Sequence, residues 1–481
     1  LSLAVLFRLV VEQKPGAAFA LTFAWAMGMF GAGVPWIYVS LHVYGNMPAL
    51  LAMIATLLFC AYLALYPAFL LSVATWLARW LNVGGQRAVL TVLPALFVAS
   101  ELLRGWLLTG FPWLTLGVSQ TPGGFLNAPL AGFAPVGGVF LLSVLIALTA
   151  GGIALALHAA LWKRSSRRVK SGVVMFLASL WVSGALLQQV EWSEPAGASV
   201  TASLLQGNIA QDLKWREEAF VLTLSRYRAM VESAPGRLVI LPETALPGFL
   251  DQIPGDYLVA LRGHAQNHGS DLVFGVPTAE RDPEGRTIRY FNSALSMGAS
   301  AAQRYDKHHL VAFGEFIPPL FSWVYRWLDI PLAGFTPGVS VVPPIKVAGV
   351  GVAVNICYED AFGAEIAANA RDSNLMANLS NMAWYGQSLA ADQHAQFSQL
   401  RAIENSRWML RATNTGLTAA IDHKGRIVAA LPQFKEGVLN VEAMPRRGTT
   451  PYQRYGDWLS GVLLALLLAS ALMPVNRETV K

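Results

Sequence analysis

Val354-Asn355-Ile356-Cys357-Tyr358-Glu359-Asp360 is an apolar, β-branched run that stops at a cysteine followed by two carboxylates. Its pattern predicts a buried strand with Cys357 at the mouth. Alone, such a cysteine more often behaves as a small buried hydrophobe than as a reactive group. What it does therefore depends on what the rest of the chain brings to it.

The chain has 481 residues, 54% of them hydrophobic and only 13% charged, against roughly a quarter charged in a typical soluble domain. That balance predicts a membrane protein, and the apolar content is unevenly spread. Residues 1–190 are almost all apolar, 199–445 read as an ordinary globular domain, and 457–473 are apolar again. Spans are expected at about 17–38, 48–78, 88–108, 136–161, 172–188 and 457–473, each judged against the ~20 residues a helix needs to cross a bilayer. The opening residues 1–11 are too short for a span, so the chain is expected to begin inside one, with its first span truncated.

Charge decides orientation. The densest basic run, Lys163-Arg164-Ser165-Ser166-Arg167-Arg168-Val169-Lys170, lies between two apolar spans, so the net charge of +6 reads as a topology signal and not as a nucleic-acid surface. With that loop in the cytoplasm, alternation puts Lys14, Arg79, Arg87, Arg477 and Lys481 inside and the block 190–456 outside. Cys60 falls within a lipid-like run and reads as packing, so no disulfide framework is expected. Val34-Pro35-Trp36-Ile37-Tyr38 and Phe111-Pro112-Trp113-Leu114 read as loops at the lipid interface, either an aromatic belt or a substrate portal. Glu101 and Arg104, at i and i+3, are expected to neutralise one another on one helix face.

From residue 199 short β-branched runs alternate with amphipathic stretches. Strands are expected at 200–206, 237–241, 271–276, 292–297, 347–356, 374–379 and 417–421, and helices at 216–233, 255–268, 361–371 and 388–408. Strands this apolar, alternating with helices, indicate α/β layers over a buried sheet.

The chemistry gathers at strand ends. Leu241-Pro242-Glu243-Thr244-Ala245 follows one strand, Arg304-Tyr305-Asp306-Lys307-His308-His309-Leu310 is a loop, and Cys357 ends a third element. A carboxylate base and an ammonium both favour a thiolate, and the ammonium with the backbone N–H of Tyr358 could face a tetrahedral oxyanion. Read from the residues alone, Glu243 could still be a solvated acid and Lys307 part of a surface basic cluster. His264 and His268 stand at i and i+4, but Ala265 occupies the position where a zinc helix of this kind needs glutamate, so no metal is expected there.

These three segments resemble the Glu-Lys-Cys motifs of the nitrilase superfamily, and the flanking spans resemble its membrane-embedded apolipoprotein N-acyltransferase family. Further matches are Leu213-Lys214-Trp215, Gly314-Glu315-Phe316, Ser380-Asn381-Met382-Ala383-Trp384-Tyr385-Gly386, Arg411-Ala412-Thr413-Asn414-Thr415-Gly416 and Thr109-Gly110-Phe111-Pro112-Trp113. The chain shows one apolar segment fewer than the family has spans, and Met382 stands where the family pattern has an aspartate.

The resemblance implies a multi-span helical membrane domain plus an extracytoplasmic α/β domain built as an α-β-β-α sandwich. Glu243 would be the general base, Lys307 the electrostatic stabiliser and Cys357 the nucleophile, with Glu315, Tyr358 and Glu359 supporting. Trp215 would be a mobile-loop residue over the site, and Asn381 and Trp384 would lie beside the substrate. The implied reaction passes an acyl chain from a phospholipid to Cys357 as a thioester. From there it goes to the α-amine of a diacylglyceryl-cysteine at an apolipoprotein N-terminus, in the bacterial inner membrane with the catalytic part periplasmic. No cofactor and no nucleic acid are expected, and the protein is expected to be a monomer. Glu315 and Glu359 could equally be ion-pair partners of Lys307, Arg401 or Arg411, and Trp215 and Trp384 could be core aromatics. Two other functions fit the same residues, a membrane-tethered amidase or nitrilase using water, and an inactive lipoprotein-binding scaffold. Residues 211–220 and 316–335, with Phe321, Trp323, Trp327 and Phe335, are expected to form arms at the bilayer surface.

Overall fold

The computed structural model describes residues 1–123, 128–211, 217–318 and 334–473. Five helices among them are long and apolar enough to cross a membrane: Pro15–Gly33, Ala49–Trp80, Gly85–Thr109, Pro129–Leu157 and Arg167–Leu187. Trp458–Leu472 is a shorter apolar helix, and Ser2–Val10 opens the chain. The first long helix ends before the expected 38 because Pro35 removes a backbone donor at its exit. The segment expected at 136–161 begins earlier, at Pro129, and stops at Leu157. There His158 leaves the helical region and caps a new short helix through Nδ1, which accepts from the Leu161 N–H.

The bundle's two ends differ in chemistry. At one, Arg79 donates to the carbonyls of Glu12 and Gln13, Gln86 to Leu161 and Arg87 to Met473. This end carries the basic loops. At the other, the Val34–Tyr38 and Phe111–Leu114 loops meet the α/β part. Expected at the lipid interface, as an aromatic belt or a substrate portal, they pack their two tryptophans against protein. Trp36 and Trp113 are each 3% exposed, and both indole N–H groups donate to Gln393 Oε1, at 3.0 and 2.7 Å. An apolar loop can be buried by lipid or by protein, and here a glutamine on the α/β side satisfies the polar atoms that lipid could not.

Glu101 and Arg104, expected to neutralise one another, also hold the next loop. Arg104 Nη1 donates to the Phe111 and Trp113 carbonyls at 2.6 and 2.5 Å, and Glu101 Oε1 accepts from the Leu116 N–H at 2.9 Å. The Trp113 carbonyl is buried and the other two groups are partly so, and each is given a charged partner.

The α/β part contains β1 (Glu194–Pro195), β2 (Val200–Gln206), β3 (Leu238–Ile240), β4 (Asp271–Arg281), β5 (Thr287–Gly298), β6 (Arg304–Asp306), β7 (Ile345–Val347), β8 (Val350–Ile356), β9 (Leu375–Ser380), β10 (Met409–Thr413), β11 (Ala419–Ile421), β12 (Ile427–Ala430), β13 (Gly437–Ala443) and β14 (Arg446–Arg447). Two six-stranded sheets form, in orders β13-β2-β3-β4-β5-β6 and β12-β11-β10-β9-β8-β7. Each has a parallel centre, β2-β3-β4 and β8-β9-β10, with antiparallel edges. The expected strand 347–356 is a hairpin, β7 turning into β8 through Ala348 and Gly349, both at positive φ. Strands β1, β6, β10, β12, β13 and β14 went unpredicted.

Strand alternation then builds the layers. Ala202, Leu204, Val352, Val354 and Ile356 point between the sheets. Leu205, Val239 and Leu241 point outward to the helices Glu217–Ser233 and Gly255–Asn267, where Leu224, Tyr227 and Leu261 meet them. Ala353, Met376 and Met409 pack on Gly363–Ala370 and Ala390–Asn405 through Ile366 and Ala402. The result is the four-layer α-β-β-α order. The helix Ala390–Asn405 carries Gln393 and so also faces the bundle.

Candidate active site

Three strand ends converge. Glu243 follows β3 after Leu241-Pro242, Lys307 directly follows β6, and Cys357 directly follows β8 in the opposite sheet. Gly275 on β4 makes the first turn possible, because a Cβ there would lie 2.5 Å from Thr244 N and 2.6 Å from Glu243 Cα. Cys357 itself sits at φ +52°, in the left-handed region that non-glycine residues rarely adopt. That kink turns the chain out of the strand into a short 3-10 helix, Cys357–Ala361.

Lys307 is the hub, with 1% of its surface exposed. Its Nζ donates to Glu315 Oε1 at 2.9 Å and to Glu243 Oε1 at 3.3 Å. Asn292 Nδ2 donates to the same two oxygens, each at 2.8 Å. The remaining oxygens are also held: Glu243 Oε2 accepts from the Asn381 N–H at 2.9 Å, and Glu315 Oε2 from the Val311 N–H at 2.8 Å. Burial opposes the ammonium, but Glu315 and Glu243 outweigh it and raise its pKa well above the usual lysine range. Lys307 is therefore a fixed cation between two anions.

The thiol answers differently from the expected thiolate. Burial pushes the Cys357 pKa up to about 12, and Glu243 adds to that more than Lys307 takes away. Lys307 is shared by two carboxylates, so the site already carries a net negative charge and a resting thiolate would add another. The resting group is therefore the protonated thiol.

Glu359 is a fastener. Its Oε1 accepts from Tyr305 Oη, His308 N–H and His309 N–H at 2.8, 2.7 and 3.1 Å, and its Oε2 from Ile356 N–H at 2.6 Å. It ties the lysine loop to the cysteine elbow and forms no ion pair with Arg401 or Arg411, which serve Glu404 and Asp360. Tyr358 Oη donates to the Gly110 carbonyl at 3.0 Å, and His309 Nε2 bonds the Thr109 carbonyl at 2.9 Å. Both contacts run from the site to the membrane part.

Asn381 lies beside Glu243 and bonds Gln211 and Asn414 through its side chain. Trp384, on the turn Ala383–Tyr385, is half-buried. Met382 is buried against Gly416 in an apolar cluster, a setting that suits methionine better than an acid. Trp215 and the expected arm residues Phe321, Trp323 and Trp327 lie outside the described residues. His264 and His268 stack on the surface with ring centroids 4.2 Å apart, and among the described residues no cluster of His, Cys, Asp or Glu could hold a metal.

Sequence reasoning missed Asn292, Gln393 and His394. A polar residue inside a strand otherwise buried was the available signal for Asn292. His394 Nε2 bonds the Cys357 carbonyl at 3.0 Å, and nothing local in the sequence marks it.

Comparison with known proteins places this arrangement. Residues 201–450 match the carbon-nitrogen hydrolase family, and residues 1–152 the apolipoprotein N-acyltransferase N-terminal domain. A Nitrosomonas europaea protein named apolipoprotein N-acyltransferase is 44% identical over 468 residues, 97% of this chain and 90% of that one. One of the same name from Chromobacterium violaceum is 42% identical over 99% of this chain and 90% of its own. Among solved structures, a CN-hydrolase superfamily protein from Xanthomonas campestris superposes with a TM-score of 0.39 and 20% identity, over 56% of this chain and 97% of that one.

Proposed function

This chain belongs to the apolipoprotein N-acyltransferase family, and from that premise we propose that it moves an acyl chain from a phospholipid, through a thioester on Cys357, to the α-amine of a diacylated lipoprotein N-terminus. The observation that carries the reading is the hydrogen bond from Tyr358 to Gly110. It sets the residue next to the nucleophile against the membrane part, where an ester at headgroup level can reach it. A soluble amidase would have no use for that contact. We place the site on the periplasmic face of the inner membrane, because the basic loops lie at the opposite end of the bundle, and we take the enzyme to act as a monomer.

In the first half-reaction Glu243 takes the Cys357 proton as sulfur attacks the ester carbonyl. The oxyanion faces the Lys307 ammonium and the Tyr358 N–H. Collapse breaks the ester C–O bond, Glu243 returns the proton to the departing lysophospholipid oxygen, and a thioester remains. In the second half the lipoprotein amine attacks that carbonyl and passes a proton to Glu243. The C–S bond breaks, the amide is complete, and the proton returns to sulfur. Thioester reactivity suffices to acylate an amine without a nucleotide. The chemistry needs Glu315 and Asn292 to hold Lys307 and Glu243 in register throughout.

The test is to incubate purified enzyme with phospholipid and a diacylated lipopeptide. We expect an acyl adduct on Cys357 by mass spectrometry and an N-acylated peptide, both lost in Cys357→Ala and Cys357→Ser. Free fatty acid without N-acylated peptide would favour hydrolysis, and an adduct surviving both substitutions would refute the mechanism.

A further inference from the structure

The carbonyl of Cys357 is held by two buried donors. His394 Nε2 lies 3.0 Å from it and Asn378 Nδ2 3.3 Å. On the other side of the imidazole, Arg411 Nη2 is 2.5 Å from Nδ1. A guanidinium can only donate, so Nδ1 must accept, and the ring proton sits on Nε2, aimed at the carbonyl. Arg411 is itself fixed by Asn378 Oδ1 and Ser398 Oγ, at 3.0 and 2.9 Å, and by its ion pair with Asp360. The imidazole thus has one tautomer and one direction.

That direction matters because a peptide unit is planar and trans, with its C=O and N–H pointing opposite ways. Whatever holds the Cys357 carbonyl also sets where the Tyr358 N–H points. As a first-turn amide of a helix, this N–H has no acceptor within the helix. Donation to the carbonyl also polarises the amide and makes its N–H a better donor. Resting on the reading of Cys357 as the acylated nucleophile, we propose that His394 is a positioning residue that aims and strengthens the Tyr358 N–H as an oxyanion donor. Trp113 braces both ends of the plane, with its ring stacked on His394 and on Tyr358 at centroid distances of 6.0 and 6.4 Å. Arg104, which bonds the Trp113 carbonyl, links this brace to the membrane bundle.

Two reactions of the same sulfur separate aiming the amide from merely shaping the site. Acyl transfer passes through an oxyanion, whereas alkylation by iodoacetamide displaces iodide and forms none. In full-length enzyme, His394→Leu should slow Cys357 acylation by phospholipid about ten- to a hundredfold, through kcat and not KM. The rate of iodoacetamide labelling at Cys357 should stay within about twofold of wild type. His394→Gln, whose amide can still donate to the carbonyl, should recover most of the acylation rate. His394→Met stands in if the leucine variant does not fold.

Acylation unchanged in the donor-less variant would overturn the proposal. So would parallel loss of acylation and alkylation, which would mark a purely structural role. If wild-type enzyme labels with iodoacetamide but never acylates, the acyltransferase reading fails first and takes this inference with it.

Discussion

Lys307 lies closer to Glu315, at 2.9 Å, than to Glu243, at 3.3 Å. The second glutamate thus takes the greater share of the ammonium and keeps Glu243 from becoming its sole counter-ion. Glu315→Gln keeps the shape and removes the charge, leaving Lys307 to draw on Glu243 and weaken it as a base. Acyl-adduct formation on Cys357 should fall about tenfold or more. Rates equal to wild type, measured by mass spectrometry over time, would rule out this division of labour.

The raised thiol pKa has a direct signature. Burial and the Glu243 anion push Cys357 up to about 12, so the thiolate fraction should keep growing about tenfold per pH unit through the alkaline range. Iodoacetamide labelling at Cys357 should show no plateau up to pH ~10. Glu243→Gln removes one of the two main causes and should move the profile to lower pH. A wild-type plateau near pH 8–9, where an ordinary cysteine titrates, would contradict the description.

Gln393 satisfies the indoles of Trp36 and Trp113 and donates to the Gly33 carbonyl at 2.8 Å. Gln393→Leu leaves these buried groups unpaired and should destabilise the enzyme by about 1–3 kcal/mol per orphaned group, read as a lower thermal midpoint in detergent. Adding Trp36→Phe and Trp113→Phe removes the orphaned N–H groups, so the triple variant should regain part of the loss. Additive destabilisation would show that packing, not hydrogen bonding, holds this junction.

Glu404 is buried against Arg401, beside the turn that leads to the last helix. Burial pushes its pKa up to about 7, above the value of an unfolded chain. The folded state therefore holds this proton more tightly, a stabilisation present at acid pH and lost as pH rises through about 7. The thermal midpoint should fall as pH rises from about 4.5 to about 7 and level off above that, and Glu404→Gln should flatten that fall. An unchanged slope in the variant would assign the pH dependence to other groups.

What the residues revealed in advance follows the range of the forces involved. Glu243 and Cys357 were legible as candidates because each stands just past an apolar strand, a local pattern, whereas Lys307 follows the short polar strand β6 and was singled out only by its motif. Asn292, Gln393 and His394 were not, since their partners lie far along the chain, 357 residues away in the case of Gln393 and Trp36. Short strands such as β10 and β12 carry too few residues for periodicity to separate them from the ends of helices or loops. Hydropathy drew the bundle and put the Trp36 and Trp113 loops at its interface, but it measures dislike of water and does not name the protein partner that covers an indole. The thiolate was expected because each partner of the cysteine was weighed singly. Only the assembled site shows two anions to one cation.

The bonds from Tyr358 and His309 to the Thr109–Gly110 turn fix the sulfur in the coordinate frame of the bilayer. An enzyme held this way does not sample a volume. Both of its substrates diffuse in the same plane, so its rate answers to their surface density, and diluting the membrane with inert lipid should slow it while diluting the suspension should not.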